Sequence, residues 1–203
     1  MLSLFTTNKL HRRSSIIGTQ RNYPRNSLIT LRNSLLSNKL SRILWVVKLI
    51  IPPQHLLSLG YSPDSLDCSG IKLTIGEVFV ANSEGFIDID VKYIPNYLRV
   101  SPDKDDLYSL TKGYYIIRYN EYVRIPEDSI ALAIPRSSII RSGATLFTAV
   151  WDPGYEGRGY GLLVIYNEYG VRIRRNAQIA QLVFIKMIEK SMKPYKGSYL
   201  GER

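Results

Sequence analysis

The sequence predicts an all-β domain of the sandwich or jelly-roll class, and three observations carry this prediction. Short apolar runs, rich in β-branched and aromatic residues, recur at about 8–12-residue spacing and end at Gly, Pro or Asn. The sequence shows neither a βαβ rhythm nor an internal repeat. With 45% apolar residues and 15 tyrosines among 203 residues, the chain can bury a single-domain core.

The net charge of +10 is concentrated at the start of the chain. Residues 1–63 contain nine Lys/Arg and no acid, whereas residues 64–203 contain 18 Lys/Arg and 17 acids. The near-neutral second part does not favour nucleic acid as a partner. No apolar run reaches the roughly 18 residues of a membrane span, so no membrane association is expected.

Cysteine and histidine usage argues against a disulfide-stabilised protein and against a zinc-dependent enzyme. The single cysteine, Cys68, cannot form an internal disulfide and favours the reducing cytoplasm. His11 and His55 lie far from the polar clusters described below, and no Cys-x-x-Cys is present. These features argue against a zinc site and against a zinc-dependent deaminase.

Residues 1–49 form a basic N-terminal extension, and Pro52-Pro53 marks its boundary. The apolar spacing over 28–43 predicts a short helix within the extension. Three interpretations compete for this segment. It resembles an organelle transit peptide, it could be a basic arm that touches nucleic acid or membrane, or it lies outside the folded unit because the gene start was assigned too far upstream.

The elements follow in order after this boundary. Residues 54–59 are predicted as a short helix or turn stopped by Gly60, and 72–80 as a strand with 85–90 as its hairpin partner. Residues 93–106 are predicted as a surface loop. Further strands are predicted near 114–119, 121–125, 129–134, 145–151, 160–166, 171–175 and 179–187. The glycine-rich run 157–161 opens no helix and is therefore interpreted as a hairpin, not a phosphate loop.

Two dense polar clusters occur where apolar runs end. The first comprises Arg136, Ser137 and Ser138 with Arg141, and the second is the run 151–157 around Asp152. Hydroxyl and guanidinium donors beside a lone carboxylate suit phosphate-ester hydrolysis, because the donors bind phosphate and the carboxylate activates water.

Four segments together resemble the dUTPase and dCTP deaminase superfamily, and most closely its archaeal dUTP diphosphatases. These segments are PRSSIIR at 135–141, DPGYEG at 152–157, IAQL at 179–182 and YKGSY at 195–199. The resemblance runs from residue 51 to the end. It implies a distorted jelly roll (β-clip) over 50–190 and a mobile tail over 191–203 that closes over nucleotide. It further implies a homotrimer with active sites at subunit interfaces, and Mg²⁺ held by the triphosphate with no metal-ligating side chain assigned.

The resemblance also implies roles for individual residues. Asp152 matches the catalytic carboxylate that activates the water attacking the α-phosphate, and Tyr155 matches the aromatic ring under the deoxyribose. The phosphate-binding positions of the family are matched by Arg136, Ser137, Ser138, Arg141 and Gln181. The positions of its C-terminal tail are matched by Tyr195, Lys196 and Tyr199.

This sequence departs from the family pattern at three places. Gln178 replaces an arginine, and Ser198 replaces a lysine whose role Lys196 could take. The register of an early aspartate motif stays open between Asp67 and Lys72, so neither residue is assigned to the site.

The function implied is hydrolysis of dUTP to dUMP and pyrophosphate, which keeps uracil out of DNA. Three alternatives stay open. They are a dCTP deaminase or bifunctional deaminase-diphosphatase, a catalytically silent nucleotide sensor, and a nucleic-acid binder that uses the basic arm. The position of the deaminase glutamate is matched by Val164, inside an apolar run, so deamination is not expected.

Overall fold

The fold is described for residues 49–202 in a computed structural model. Residues 1–48, including the helix predicted at 28–43, lie outside the described residues. Within the described part, no helix is long and apolar enough to cross a membrane.

Short helical segments interrupt a β structure. Helix α1 (Pro53–Leu56) continues into a 3-10 turn (Leu57–Leu59), and Gly60 ends it with φ 89°. Proline at the first turn and a left-handed glycine at the end are the usual boundaries of a helix, which confirms the prediction for 54–59. A second 3-10 turn (Pro63–Ser65) and helix α2 (Ser137–Arg141) are not predicted from the sequence.

The described residues form twelve strands. They are β1 (Leu66–Asp67), β2 (Gly70–Ala81), β3 (Phe86–Ile87), β4 (Lys92–Tyr93), β5 (Tyr97–Val100), β6 (Leu107–Leu110), β7 (Gly113–Arg124), β8 (Ser129–Pro135), β9 (Ala144–Phe147), β10 (Glu156–Ile165), β11 (Val171–Arg174) and β12 (Gln178–Lys186).

One large sheet has the order β8-β12-β2-β7-β10-β9, and β1 and β5 also pair with β2. The first half of β2 pairs with β12 and its second half with β7, with a register shift next to Gly76. Strand β2 therefore belongs to both halves of the sheet, which curls into a nearly closed barrel. Strands β6 and β11 form a small separate sheet, as do β3 and β4. The predicted all-β jelly-roll class is confirmed.

Several local predictions were wrong. Strand β3, in the predicted hairpin partner of β2, pairs instead with β4, while β5, in the predicted loop, pairs with β2. The two strands expected at 114–119 and 121–125 are the single strand β7. The run 157–161 is not a hairpin but the first half of β10. The strand expected at 145–151 ends at Phe147.

The core is built from inward-facing side chains on the central strands. Leu73 and Ile75 on β2, Ile117 and Tyr119 on β7, and Leu163 on β10 are all fully buried. Each fully buried aliphatic side chain contributes about 1.5–3 kcal/mol relative to an exposed one. The site described below lies at the end of this core, where β10 begins.

Candidate active site

The turn 152–155 presents the Asp152 carboxylate to solvent. The Tyr155 N–H donates to the Asp152 carbonyl oxygen at 3.0 Å, and Gly154 between them has φ 78°. A type II turn requires this left-handed value at its third residue. The Gly154 N–H also donates to the Ile125 carbonyl oxygen at 3.0 Å, which fastens the turn beside the end of β7. The exposed Asp152 side chain therefore projects from a fixed backbone.

Trp151 holds the chain on the other side of Asp152. Its backbone exchanges two hydrogen bonds of 3.0 Å with Ala131, and its buried ring lies between the rings of Tyr119 and Tyr155. The centroid distances are 6.0 Å and 5.6 Å, respectively. A Cβ atom at Gly159 would overlap the indole ring, so glycine at this position lets Trp151 lie against β10.

Gly157, Gly159 and Gly161 occupy successive inward positions of β10, and each faces an aromatic ring. A Cβ atom at Gly157 would lie 2.9 Å from the Tyr155 hydroxyl oxygen, and one at Gly161 would lie 2.6 Å from the Tyr119 hydroxyl oxygen. Such distances are too short for a real side chain. The glycine-rich run is therefore needed to pack three aromatic rings beneath Asp152.

A cleft of about 1010 Å³ opens beside this turn. Four of the residues predicted from the sequence line it, namely Asp152, Tyr155, Tyr195 and Tyr199. Most of the remaining wall is apolar or backbone, as is usual for small-molecule sites. The volume lies at the upper end of the range for ligand pockets, roughly 300–1,000 Å³, and is sufficient for a nucleotide.

The predicted tail lies against this cleft in the same chain. The ring of Tyr195 packs on the ring of Tyr155 with 5.5 Å between centroids. Three backbone hydrogen bonds hold the tail in place. The N–H groups of Tyr195 and Gly201 donate to the carbonyl oxygens of Pro153 (2.7 Å) and Glu156 (2.8 Å). In the opposite direction, the Arg158 N–H donates to the Glu202 carbonyl oxygen (2.9 Å). Lys196, in contrast, is exposed and does not line the cleft.

Burial changes the titration of two groups in the cleft. It raises the pKa of Tyr155 to about 12, with smaller contributions from the Glu202 carboxylate and from Tyr195. Burial also raises the pKa of Glu202, partly offset by the positive charge of Arg118. Tyr155 therefore keeps its hydroxyl proton at neutral pH.

The phosphate-motif residues follow β8. The Arg136 N–H donates to the Ile179 carbonyl oxygen at 2.9 Å, and its side chain forms an ion pair of 2.9 Å with Asp67. Ser137, Ser138 and Arg141 belong to α2, and their side chains are exposed. Helix α2 thus presents the hydroxyls of Ser137 and Ser138 and the guanidinium of Arg141 to solvent. Arg136, which precedes the helix, is held by its ion pair with Asp67.

Asp67 is a site residue that the sequence left unassigned. Its carboxylate accepts hydrogen bonds from Arg136, from Gln178 and, at 2.8 Å, from the Cys68 N–H. Burial tends to raise the pKa of Asp67, but these donors outweigh it, so its pKa lies below the usual range. Gln178 stands where the family pattern has arginine, and its amide still reaches the carboxylate. The form Pro-x-Ser-x-Asp at 63–67 is the sequence signal that could have identified Asp67.

Gln181 lies on β12 next to this group. With its amide turned so that the oxygen faces the donors, the oxygen accepts hydrogen bonds from the N–H groups of Cys68 and Ser69, both at 3.1 Å. Its register partner on β2 is Lys72, whose ammonium donates to the Asp64 carbonyl oxygen at 2.8 Å. Lys72 therefore holds the segment before β1 in place, whereas Asp67 is the residue that contacts Arg136 and Gln178.

Within one chain, nine of the ten residues predicted from the sequence thus form two groups, and Lys196 belongs to neither. The first lines the Asp152 cleft. The second does not line that cleft; it comprises Arg136, Ser137, Ser138, Arg141 and Gln181, of which Arg136 forms the ion pair with Asp67. Among the described residues, no group of three His, Cys, Asp or Glu side chains could hold a metal ion.

Comparison with known proteins agrees with this architecture. A family model described as dCTP deaminase-like matches residues 51–187, and the chain belongs to this family. In structure, it is similar to the 2'-deoxycytidine 5'-triphosphate deaminase from Agrobacterium tumefaciens, with a TM-score of 0.53 and 18% identity. That match covers 68% of this chain and 48% of the deaminase, and it shows the shared fold.

Two sequence relatives come from methane-producing archaea. A protein from Methanosarcina acetivorans named probable deoxyuridine 5'-triphosphate nucleotidohydrolase is 39% identical over 158 residues, 76% of this chain and 92% of that protein. The deoxyuridine 5'-triphosphate nucleotidohydrolase of Methanocaldococcus jannaschii is 40% identical over 136 residues, 65% of this chain and 85% of that protein.

Proposed function

We propose that this chain is a dUTP diphosphatase, which hydrolyses dUTP to dUMP and pyrophosphate. The observation that carries the proposal is the exposed Asp152 on its fixed turn, beside Tyr155, in a cleft that can hold a nucleotide. The names of the archaeal relatives support the substrate. The single exposed cysteine, Cys68, fits the reducing cytoplasm, which we propose as the location.

In the proposed mechanism, Asp152 accepts a proton from the water that attacks the α-phosphorus. An exposed carboxylate on a rigid turn is suited to orient a water molecule, because its backbone does not have to be ordered on binding. The Tyr155 ring lies under the deoxyribose and leaves no room for a 2′-hydroxyl. Tyr195 and Tyr199 cover the bound nucleotide from the tail.

The phosphate-binding residues come from a neighbouring copy in this proposal. Arg136, Ser137, Arg141 and Gln181 lie outside the cleft of their own chain. A homotrimer would place them opposite the Asp152 cleft of the next subunit, where their donors could bind the phosphate chain. Asp67 would hold the Arg136 guanidinium in position for this contact.

Mg²⁺ fits this arrangement as an ion carried by the substrate. Mg²⁺ prefers oxygen ligands and is often held by one or two carboxylates together with substrate phosphates. The cleft offers the carboxylates of Asp152 and Glu202. When bound with the triphosphate, Mg²⁺ would neutralise negative charge on the phosphate oxygens.

Deamination of dCTP is the second candidate, favoured by the description of the matching family model. This reaction requires a side chain near the nucleobase that can act as an acid or base. Val164 occupies the position expected for that side chain and is aliphatic. Its neighbours Leu162, Leu163 and Ile165 are also aliphatic, and of these four residues only Leu162 lines the cleft. These side chains cannot transfer a proton, so deamination should be absent.

One experiment separates the candidates. The full chain with Mg²⁺ is incubated with dUTP or dCTP, and both pyrophosphate and ammonia are measured. A dUTP diphosphatase releases pyrophosphate from dUTP and no ammonia from dCTP. Ammonia release at a comparable rate would support a deaminase, and binding of dUTP without turnover would support a nucleotide sensor.

A further inference from the structure

Residues 82–96 form a hairpin between β2 and β5, here called the Lys92 hairpin. Its base is closed by the Asn82 N–H, which donates to the Asn96 carbonyl oxygen at 2.9 Å. Its strands β3 and β4 pair in a register that places Ile87 opposite Lys92. The backbone of Lys92 is therefore fixed by strand pairing.

The charges in the Asp152 cleft are unbalanced. Of the described residues that line it, Lys92 is the one cation, whereas Asp152 and Glu202 are acids. Lys92 forms no salt bridge with a described residue; its Nζ lies 5.6 Å from the centroid of the Tyr199 ring. A cation over an aromatic ring at an exposed site is weakly held, so this ammonium can turn to a stronger partner.

We propose that Lys92 binds the phosphate chain of the nucleotide in the cleft, an inference that rests on the proposed function. A triphosphate carries several negative charges, which the carboxylates of Asp152 and Glu202 repel at short range. An ammonium group provides three rotatable donors on a flexible stem and can follow a phosphate oxygen. Lys92 thus offsets the repulsion from within the same subunit.

Within the described part of the tail, no cationic side chain lines the cleft. Ser198 lines the cleft beside Tyr199 and is neutral. Lys196 is exposed and is not among the residues that line the cleft. Lys92 reaches Tyr199 from another part of the chain, so the hairpin places a positive charge at the cleft, which the described tail residues do not.

A different role for Lys92 would be to hold the tail through Tyr199 without touching the ligand. The two roles differ in their dependence on phosphate. A phosphate contact affects dUTP strongly and deoxyuridine not at all, whereas a tail contact affects both ligands equally. The charge-conserving variant Lys92→Arg should preserve a phosphate contact.

The test compares Lys92→Ala, Lys92→Arg and Lys196→Ala with the full chain, and uses Lys104→Ala on an exposed loop as the matched control. We measure KM for dUTP and dissociation constants for dUTP and deoxyuridine by calorimetry. Lys92→Ala should weaken dUTP binding about tenfold or more, since a hydrogen bond to a charged group is lost. Deoxyuridine binding should be unchanged, Lys92→Arg should restore most of the dUTP affinity, and Lys104→Ala should match the unmodified chain.

Three results would overturn the inference: unchanged dUTP affinity in Lys92→Ala, equal losses for dUTP and deoxyuridine, or a loss confined to Lys196→Ala. The proposed function fails separately, if the unmodified chain does not release pyrophosphate from dUTP. The binding series still tests Lys92 in that case, because it does not depend on turnover.

Discussion

The ring of Tyr195 packs edge-on against the ring of Tyr155, with 5.5 Å between centroids and 73° between the planes. This contact joins the tail to the turn that carries Asp152. The Tyr195 N–H also donates to the Pro153 carbonyl oxygen at 2.7 Å, so the ring contact is supported by the backbone. The tail and the Asp152 turn are therefore packed together within a single chain.

Replacing Tyr195 with Leu should loosen the tail without unfolding the domain. An aromatic pair contributes about 0.5–1.5 kcal/mol beyond its buried area. We expect KM for dUTP to rise roughly three- to tenfold and hydrogen exchange over 191–202 to accelerate. Tyr195→Phe keeps the ring but removes the hydroxyl oxygen that accepts from the Tyr199 N–H at 3.3 Å, so its effects should be smaller than those of Tyr195→Leu. Unchanged exchange in Tyr195→Leu would contradict this role.

Asp152→Asn should abolish hydrolysis while leaving nucleotide binding intact. The amide preserves the shape of the side chain but cannot accept a proton from water. Loss of a general base typically lowers the rate about 10²–10⁴-fold. Pyrophosphate release and dUTP affinity are measured together, with the exposed Asp105→Asn as the control. A rate near that of the unmodified chain would mean that Asp152 only shapes the turn.

The ion pair between Asp67 and Arg136 predicts a loss of stability in acid. Because the pKa of Asp67 is lowered in the folded state, its contribution is present above the unfolded pKa of about 3.9. It is lost as pH falls through the lower folded value. Asp67→Asn should therefore be less stable at pH 7 and lose less stability than the unmodified chain between pH 5 and 2, by urea titration. Asp64→Asn, in no ion pair with a described residue, should retain the full acid dependence.

Gly159→Ala should destabilise the domain, since the added methyl group would overlap the Trp151 ring. Overpacking of this kind typically costs about 1–3 kcal/mol. If the indole is the cause, the same substitution should cost less in a Trp151→Leu background. Urea unfolding of the four proteins gives this coupling energy, and a value of zero would mean that the strand accommodates the methyl group elsewhere.

Deletion of residues 1–48 should leave folding and hydrolysis intact. The first described residues are attached to β12 by two backbone hydrogen bonds. The Lys186 N–H donates to the Leu49 carbonyl oxygen at 2.5 Å, and the Ile51 N–H donates to the Phe184 carbonyl oxygen at 2.9 Å. We expect the urea midpoint of the domain and the rate of pyrophosphate release to stay unchanged. Deletion of 1–51 is the contrasting variant, because it also removes these two bonds. Loss of activity on deleting 1–48 would assign the extension a role in the domain.

Local patterns in the sequence predicted the longer strands, but not the short strands β4, β5 and β6, nor all of the strand partners. The alternation in β2 and the turn residues around β8 and β12 were sufficient to place these strands. The pairing of β5 with β2 was missed because prolines at 95 and 102 flank only four strand residues. Glycines at 157, 159 and 161 resembled a turn because their purpose, room for aromatic rings, depends on residues distant in sequence.

In the candidate site, too, the sequence predicted the residues that belong to a local motif but not those whose position depends on distant partners. Asp152, Tyr155 and Tyr195 were predicted from motifs, and the structure brings them together. Asp67 stayed ambiguous because its partners, Arg136 and Gln178, lie 69 and 111 residues further along the chain. Lys92 carries no motif at all. Its position depends on the Lys92 hairpin, whose pairing the sequence did not predict.

The packing of Trp151 gives the molecule an internal optical probe. The chain contains two tryptophans, and Trp45 lies outside the described residues. In a Trp45→Phe variant, all indole fluorescence would come from Trp151, which is shielded from water and flanked by two tyrosine rings able to transfer excitation to it. Because Trp151 lies next to Asp152 in the cleft wall, its emission would follow ligand entry in real time without an added dye.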